Sequence, residues 1–99
     1  MTMTAPITAQ PYDPDDEAVV GWKEVVAYLD GADAVYTLST VRPDGAPHAA
    51  TILAVWLDGA PYFCTRAASR KGRNLEHDPR CVLSIVDERL DFVLEGEAY

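Results

Sequence analysis

Ninety-nine residues, 48% of them hydrophobic, bound the chain to a single domain with one packed core rather than a disordered tail. A net charge of −8 excludes wrapping a nucleic acid, because duplex affinity rests on Lys and Arg neutralising many phosphates, yet it leaves room for a small anionic ligand. The N-terminus shows no basic segment leading into an apolar one, and no run reaches the roughly 18 apolar residues of a membrane span, so a soluble cytoplasmic protein is expected.

Residues 1–12 are rich in Thr, Ala and Pro without periodicity and read as a flexible leader to a domain over residues 13–99. Asp13 then offers an N-cap and Pro14 an N1 residue, with Asp15, Asp16 and Glu17 suited to the positive first turn of a helix. Val19, Trp22, Val26 and Leu29 follow at helical spacing as one apolar stripe, and Gly31 stands where a C′ residue would end the helix.

From Ala34 the period changes. Val35 to Val41 is rich in β-formers, and Arg42-Pro43-Asp44-Gly45 has turn chemistry, with Pro at its second position and Gly at its fourth. The second strand, Pro47 to Leu57, is nearly all apolar or small, which predicts burial on both faces. Asp58-Gly59 gives a tight turn into a third strand, Ala60 to Thr65.

A short helix over about Ser69 to His77 comes next, with Ser69 as N-cap and Pro79 forcing the exit. Cys81 to Val86 and Leu90 to Tyr99 are the last two strands, and Leu90, Phe92 and Leu94 alternate with Asp91, Val93 and Glu95 so that only the fifth strand has one clearly wet face. Such short links allow only antiparallel pairing, and five strands with apolar central members predict closure into a small barrel. A chain of this size buries only about 60–70% of its unfolded surface, so a dimer partner or a bound cofactor would supply welcome extra burial.

Charge is distributed unevenly. Arg66, Arg70, Lys71, Arg73 and Arg80 fall within fifteen residues against Glu76 and Asp78, a local balance of +3 that leaves −11 for the rest. Ser69-Arg70-Lys71 at a helix start combines backbone N–H groups, a guanidinium fork and an ammonium, and Thr65 can add a hydroxyl. An anion clamp and a solvated basic turn both fit those residues. Cys64 and Cys81, without CxxC spacing, read as buried reduced thiols. His48 and His77 lack the company that a metal site needs, and no metal is expected. Trp22, Trp56 and Tyr36 read as core or interface aromatics, with Trp56 the one that could border a bound ring. No Ser-His-Asp or Cys-His arrangement marks a catalytic side chain.

In order, Trp22 in a leading helix, the run LSTVRPDGAPHAATI from Leu38 to Ile52, the Val-Trp-Leu-Asp-Gly turn, the strand Tyr62-Phe-Cys-Thr65, the stretch SRKGRNLEHDPR and the final Glu-Gly-Glu-Ala resemble the pyridoxamine 5′-phosphate oxidase-like split β-barrel flavoproteins. Within that group the sequence is most similar to the flavin/deazaflavin oxidoreductases. The resemblance covers about Trp22 to Tyr99. It implies a mainly β (α+β) fold, an antiparallel split β-barrel of the FMN-binding type, with an N-terminal helix and a short helix between strands 3 and 4. It also implies a homodimer holding FMN, or the 8-hydroxy-5-deazaflavin coenzyme, between the subunits, and a hydride passed to or from a small organic substrate. Phosphate contacts map onto Thr65, Ser69, Arg70 and Lys71, and positions beside the ring onto Ala49, Ala50, Thr51 and Ile52, continuing to Ala54, with Cys64 next to the loop. Asn74 and Leu75 take structural roles, one satisfying local backbone and the other packing on the barrel.

Two departures accompany the resemblance. The residues that contact pyridoxal phosphate in a true pyridoxamine phosphate oxidase fall beyond Tyr99 in the family pattern, so that activity is not expected. The last strand and terminal helix of the barrel are absent too, which predicts a clipped or incomplete C-terminal part. A non-catalytic protein that stores or senses a flavin, deazaflavin or tetrapyrrole would need the same clamp, and a purely structural dimerisation domain would bind no chromophore.

Overall fold

A computed structural model describes residues 22–31, 33–86 and 91–99. Helix α1 spans Trp22–Leu29, and the capping expected at Asp13 to Glu17 lies outside the described residues, as does Val19. Its inward face is led by Val25 and Leu29; Leu29 belongs to the stripe read in the sequence, whereas Val26 is only partly buried and Val25 takes the inward place. Gly31 ends it as expected: its φ of +73° is one that side chains resist, and its N–H reaches the Trp56 carbonyl at 2.7 Å.

Strands β1 (Asp33–Val41) and β2 (Pro47–Leu57) form the hairpin, in register from Val41↔Pro47 to Asp33↔Val55. Its turn closes by Gly45 N–H to the Arg42 carbonyl at 2.8 Å, with Gly45 at φ +88°. Asp58 and Gly59, both at positive φ, make the second tight turn into β3 (Ala60–Phe63). That strand stops two residues short of the expected Thr65, because Thr65 turns its hydroxyl to Ser69 and leaves the ladder.

Helix α2 (Arg70–His77) carries the chain from the β3 edge to the opposite side of β1. There β4 (Arg80–Val86) pairs with β1 and then with β5 (Asp91–Glu97). The result is one antiparallel five-stranded sheet in the order β3-β2-β1-β4-β5, curled into a half-barrel with two helices, the split-barrel architecture read from the sequence.

The core lies on the concave face. Tyr36, Leu38, Trp56, Leu83 and Leu94 are sealed there, with Leu75 of α2 and Leu29 of α1 closing the ends. Trp56 donates its indole N–H to the Tyr36 hydroxyl at 2.8 Å, which satisfies both polar groups inside the core. Trp56 is therefore a core residue and does not border a site on the outer face.

One expectation fails in an informative way. Strand β2 is buried on one face only: Ile52, Ala54 and Trp56 point inward, while Leu53 and Leu57 are 60% and 46% exposed. Beside Leu53, Val35 is 62% exposed, and Tyr62 is also open. Alternation is thus not confined to the fifth strand, since β1 to β4 all alternate as well. Contacts of α1 and α2 with the strands serve the core side, and among the described residues the outer side of β1, β2 and β3 carries apolar residues without a cover.

Candidate functional site

An open groove of about 780 Å3 runs over the outer side of β2 and β3. Period 2 explains its floor: Thr51, Leu53 and Val55 share one face of β2, and the pairing Val55↔Tyr62 puts Tyr62 on that same face of the neighbouring strand, with Cys64, just past the strand's end, also lining the groove. Gly31 bounds it at one end and Lys71, in the first turn of α2, at another. The site is therefore an apolar strip with a cation at its rim.

Loop geometry at that rim follows from one hydroxyl. Ser69 Oγ donates to the Arg66 carbonyl at 2.7 Å and accepts from the Gly72 N–H at 3.1 Å, the N-cap bond expected of a serine before a helix. A hydroxyl has a single proton, so in the 3.0 Å contact between Thr65 Oγ1 and Ser69 Oγ the donor is Thr65. Both hydroxyl protons are engaged within the loop and fix its shape. The first-turn N–H groups of Arg70 and Lys71 have no intrahelical partner, as at any helix start, and with their two side chains they are the donors left for an anion.

Electrostatics narrows the cationic cluster. Arg80 is committed to Asp78, with N–O contacts of 2.6 and 3.0 Å, and this hydrogen-bonded guanidinium holds the Asp78 carboxyl down at about 2. It is the ion pair found among the described residues, and it leaves Arg66, Arg70, Lys71 and Arg73 without a carboxylate within 4.0 Å there. Four cations unpaired among the described residues, in an otherwise acidic protein, favour an anionic occupant.

Gly72 shapes the same loop in a way the sequence did not disclose. A Cβ at that position would run into the Arg66 carbonyl oxygen, with the Arg66 carbonyl carbon and Ser69 Oγ both at 3.1 Å. Only a residue without a side chain lets the 66–69 segment lie on the helix. A glycine inside a helical pattern was the available signal.

Beneath the loop, Asn74 is wholly buried and donates from Nδ2 to Thr40 Oγ1 at 3.0 Å. Its partner is thus a β1 side chain rather than the local backbone expected from the sequence, and the bond pins α2 to the sheet. Asn74 Oδ1 and His48 Nδ1 are buried without a partner among the described residues. Leu75 packs into the core as expected.

Of the nine residues singled out for cofactor contact, Thr51, Ile52, Cys64 and Lys71 line the groove. Arg70 stands exposed at the first helical position beside it, and Thr65 and Ser69 form the loop frame. Ala49 and Ala50 lie farther along β2, opposite Ser39 and Leu38, outside the groove lining. Val55 and Tyr62 were missed, although alternation from Cys64 and Thr51 places both on the groove face. Cys64 is exposed, contrary to the buried thiol expected, because two residues on from the exposed Tyr62 it continues the outward side of the alternation. Cys81 is buried, and burial pushes its thiol up to about 11, which leaves it protonated and inert at neutral pH.

Among the described residues no group of three or more His, Cys, Asp or Glu could hold a metal ion, and no helix is long and apolar enough to cross a membrane. A family model described as pyridoxamine 5′-phosphate oxidase matches residues 22–99. No curated protein and no solved structure matches the chain.

Proposed function

We propose, on the premise that this chain belongs to the pyridoxamine 5′-phosphate oxidase family, that its groove binds FMN by the phosphate and that the loaded protein passes a hydride to or from a small organic molecule. The observation that carries the proposal is the junction of an apolar strip of about 780 Å3 with the unpaired cations of the α2 N-terminus. A phosphorylated tricycle is a ligand of that composition, and the donor set fits it: backbone N–H groups, a guanidinium and an ammonium for the dianion, aliphatic and aromatic surface for the ring. The 8-hydroxy-5-deazaflavin coenzyme offers the same two features and is the alternative occupant.

Each residue then has a physical task. Lys71 and Arg70 hold the phosphate, while the Thr65–Ser69–Arg66 network and Gly72 keep the loop in the shape that presents them. Leu53, Val55 and Tyr62 support the ring and keep water off its inner side. Behind them the Trp56–Tyr36 bond and the Asn74–Thr40 bond make a stiff floor, so that orientation is not lost to motion. A bound flavin supplies the hydride chemistry, which the side chains lining this groove do not.

A second copy of the chain is the proposed cover for the outer face. Val35, Leu53, Leu57 and Val86 are apolar and open there, and a homodimer through this face would shut the groove from solvent. The test is the visible absorption spectrum of the purified protein titrated with FMN and with the deazaflavin, followed by reduction and reoxidation under turnover. A bound, cycling chromophore supports the proposal. Tight binding without turnover would identify a storage or sensing protein, and no perturbed spectrum with either compound would refute the groove assignment.

A further inference from the structure

On the core side of the sheet, α2 rests on β1 and β2 through a polar contact that is half made. Asn74 donates to Thr40 Oγ1 at 3.0 Å, yet its amide oxygen Oδ1 is buried without a partner among the described residues. A second orphan belongs to the same neighbourhood. His48 is the cross-strand partner of Thr40, and its Nδ1 is buried and unpartnered among the described residues as well. His48 shares its side of β2 with Ile52, Ala54 and Trp56, so the half-buried ring turns toward the interior, where Thr40 and Asn74 are 2% and 0% exposed.

Both orphan atoms converge on one hydroxyl. Directly opposed residues of an antiparallel pair hold their Cβ atoms about 4.5–5.5 Å apart, and Asn74 is within hydrogen-bond distance of the same Thr40 side chain. The orphans do not bond to each other, and an unpaired buried polar atom costs a sizeable share of a small domain's stability, so a group that serves both is called for. Chemistry selects it. Asn74 Oδ1 accepts, imidazole Nδ1 accepts when the ring proton is on Nε2, and Thr40 Oγ1, having accepted from Asn74, keeps its own proton to give. Two acceptors and one donor complement a water, which gives two protons and takes one, and three partners is the usual number for a buried water. An anion would meet Oδ1, itself an acceptor, and no His, Cys, Asp or Glu cluster suited to a metal ion is found among the described residues.

We propose that Thr40, His48 and Asn74 bind one internal water, and that through it His48 acts as a positioning residue for α2. The Asn74–Thr40 bond ties the helix to β1, and the water ties it to β2 as well. Asn74 lies one helical turn beyond Arg70 and Lys71, so a fixed Asn74 side chain fixes the direction in which the first turn presents its cations and N–H groups. None of the three residues lines the groove, so the water site is independent of what the groove holds.

The test uses the full ligand-free chain as wild type, His48→Leu and His48→Asn, the last placing an amide oxygen where Nδ1 stood. Magnetic relaxation dispersion of the solvent oxygen counts long-lived internal waters, and nitrogen spectra of the labelled protein report the His48 tautomer and the Arg70 and Lys71 backbone amides. Wild type is expected to carry the His48 proton on Nε2 and to hold at least one long-lived water, His48→Leu to hold one fewer, and His48→Asn to restore it. The Arg70 and Lys71 amide signals should move in His48→Leu and return toward wild type in His48→Asn. An equal water count in wild type and His48→Leu, a loss that His48→Asn does not restore, or a His48 ring carrying its proton on Nδ1 would overturn the water bridge. Amide signals displaced alike in both variants would overturn the positioning role. A wild type without any long-lived water would overturn the site even if neither variant folds.

Discussion

Gly72→Ala sets two effects of opposite sign against each other. In the interior of a helix alanine is favoured over glycine by about 1 kcal/mol, and Gly72 is not in the left-handed region, so the backbone alone would welcome the change. Sterics reverse the sign. The new Cβ would overlap the Arg66 carbonyl oxygen, a backbone atom held by its bonds from Ser69 N–H and Ser69 Oγ, so it cannot rotate aside as a flexible side chain would. Overpacking of this kind costs about 1–3 kcal/mol or more, and the net effect is a destabilisation of roughly 1–2 kcal/mol. For a domain of this size each kcal/mol lowers the midpoint by about 4–8 °C, so a thermal melt should show a drop on the order of 5–15 °C. Equilibrium titration should show weaker anion binding as well, since the displaced segment carries Thr65 and Ser69. Glu76→Ala, exposed on the same helix, gives a matched control and should melt near wild type. A Gly72→Ala protein that melts at or above the wild-type midpoint would refute the close approach of loop and helix.

Replacing Arg70 and Lys71 together by Ala should weaken FMN binding by at least about a hundredfold, from roughly 1.5–3 kcal/mol for each charge-assisted contact, whereas Arg42→Ala in the exposed hairpin turn should leave the dissociation constant nearly unchanged. Equal effects in the two would mean that the basic stretch is only a solvated face. Cys81 predicts an alkaline instability: with a thiol at about 11 folded and 9.0 unfolded, its contribution is complete below pH 9 and is lost as pH rises through 11. Melts between those pH values should show wild type losing about 1–2 kcal/mol more than Cys81→Ala, partial solvation of the thiol keeping the figure below its full linkage value; parallel curves would contradict it. Val35→Asp, placing a carboxylate on the open apolar face, should weaken self-association at least about a hundredfold by sedimentation while the far-UV spectrum stays native, and unchanged association would exclude that face from the dimer.

Local chemistry made the elements legible. Gly31, Gly45 and Asp58-Gly59 stand at positive φ where the turn residues placed chain reversals, and Ser69 caps α2 as a serine before a helix should. What the sequence concealed depends on contacts between distant segments. The apolar content of β2 does not say whether its outer face packs against another element, and the exposure of Leu53 shows that no described element packs there. Asn74 reads as a local backbone partner until the fold brings Thr40, thirty-four residues away, within 3.0 Å. Arg80 looks like a fifth member of the cationic cluster until Asp78 is seen to hold it. Arg70 and Lys71 were legible from type and spacing as cations at a helix start, whereas Tyr62 and Val55 became groove residues only once β2 and β3 were in register.

Comparing FMN with riboflavin bears most directly on the claim that an anion at the α2 N-terminus anchors a flat ring in the groove. The two ligands share the tricycle and differ by the phosphate, so isothermal or fluorescence titration of the full chain isolates the clamp from the apolar strip. A protein that works as described binds FMN at least about a hundredfold more tightly than riboflavin, and the advantage shrinks with added salt and vanishes when Arg70 and Lys71 are both Ala. Equal affinity for the two ligands, insensitive to salt and to those substitutions, would contradict the account.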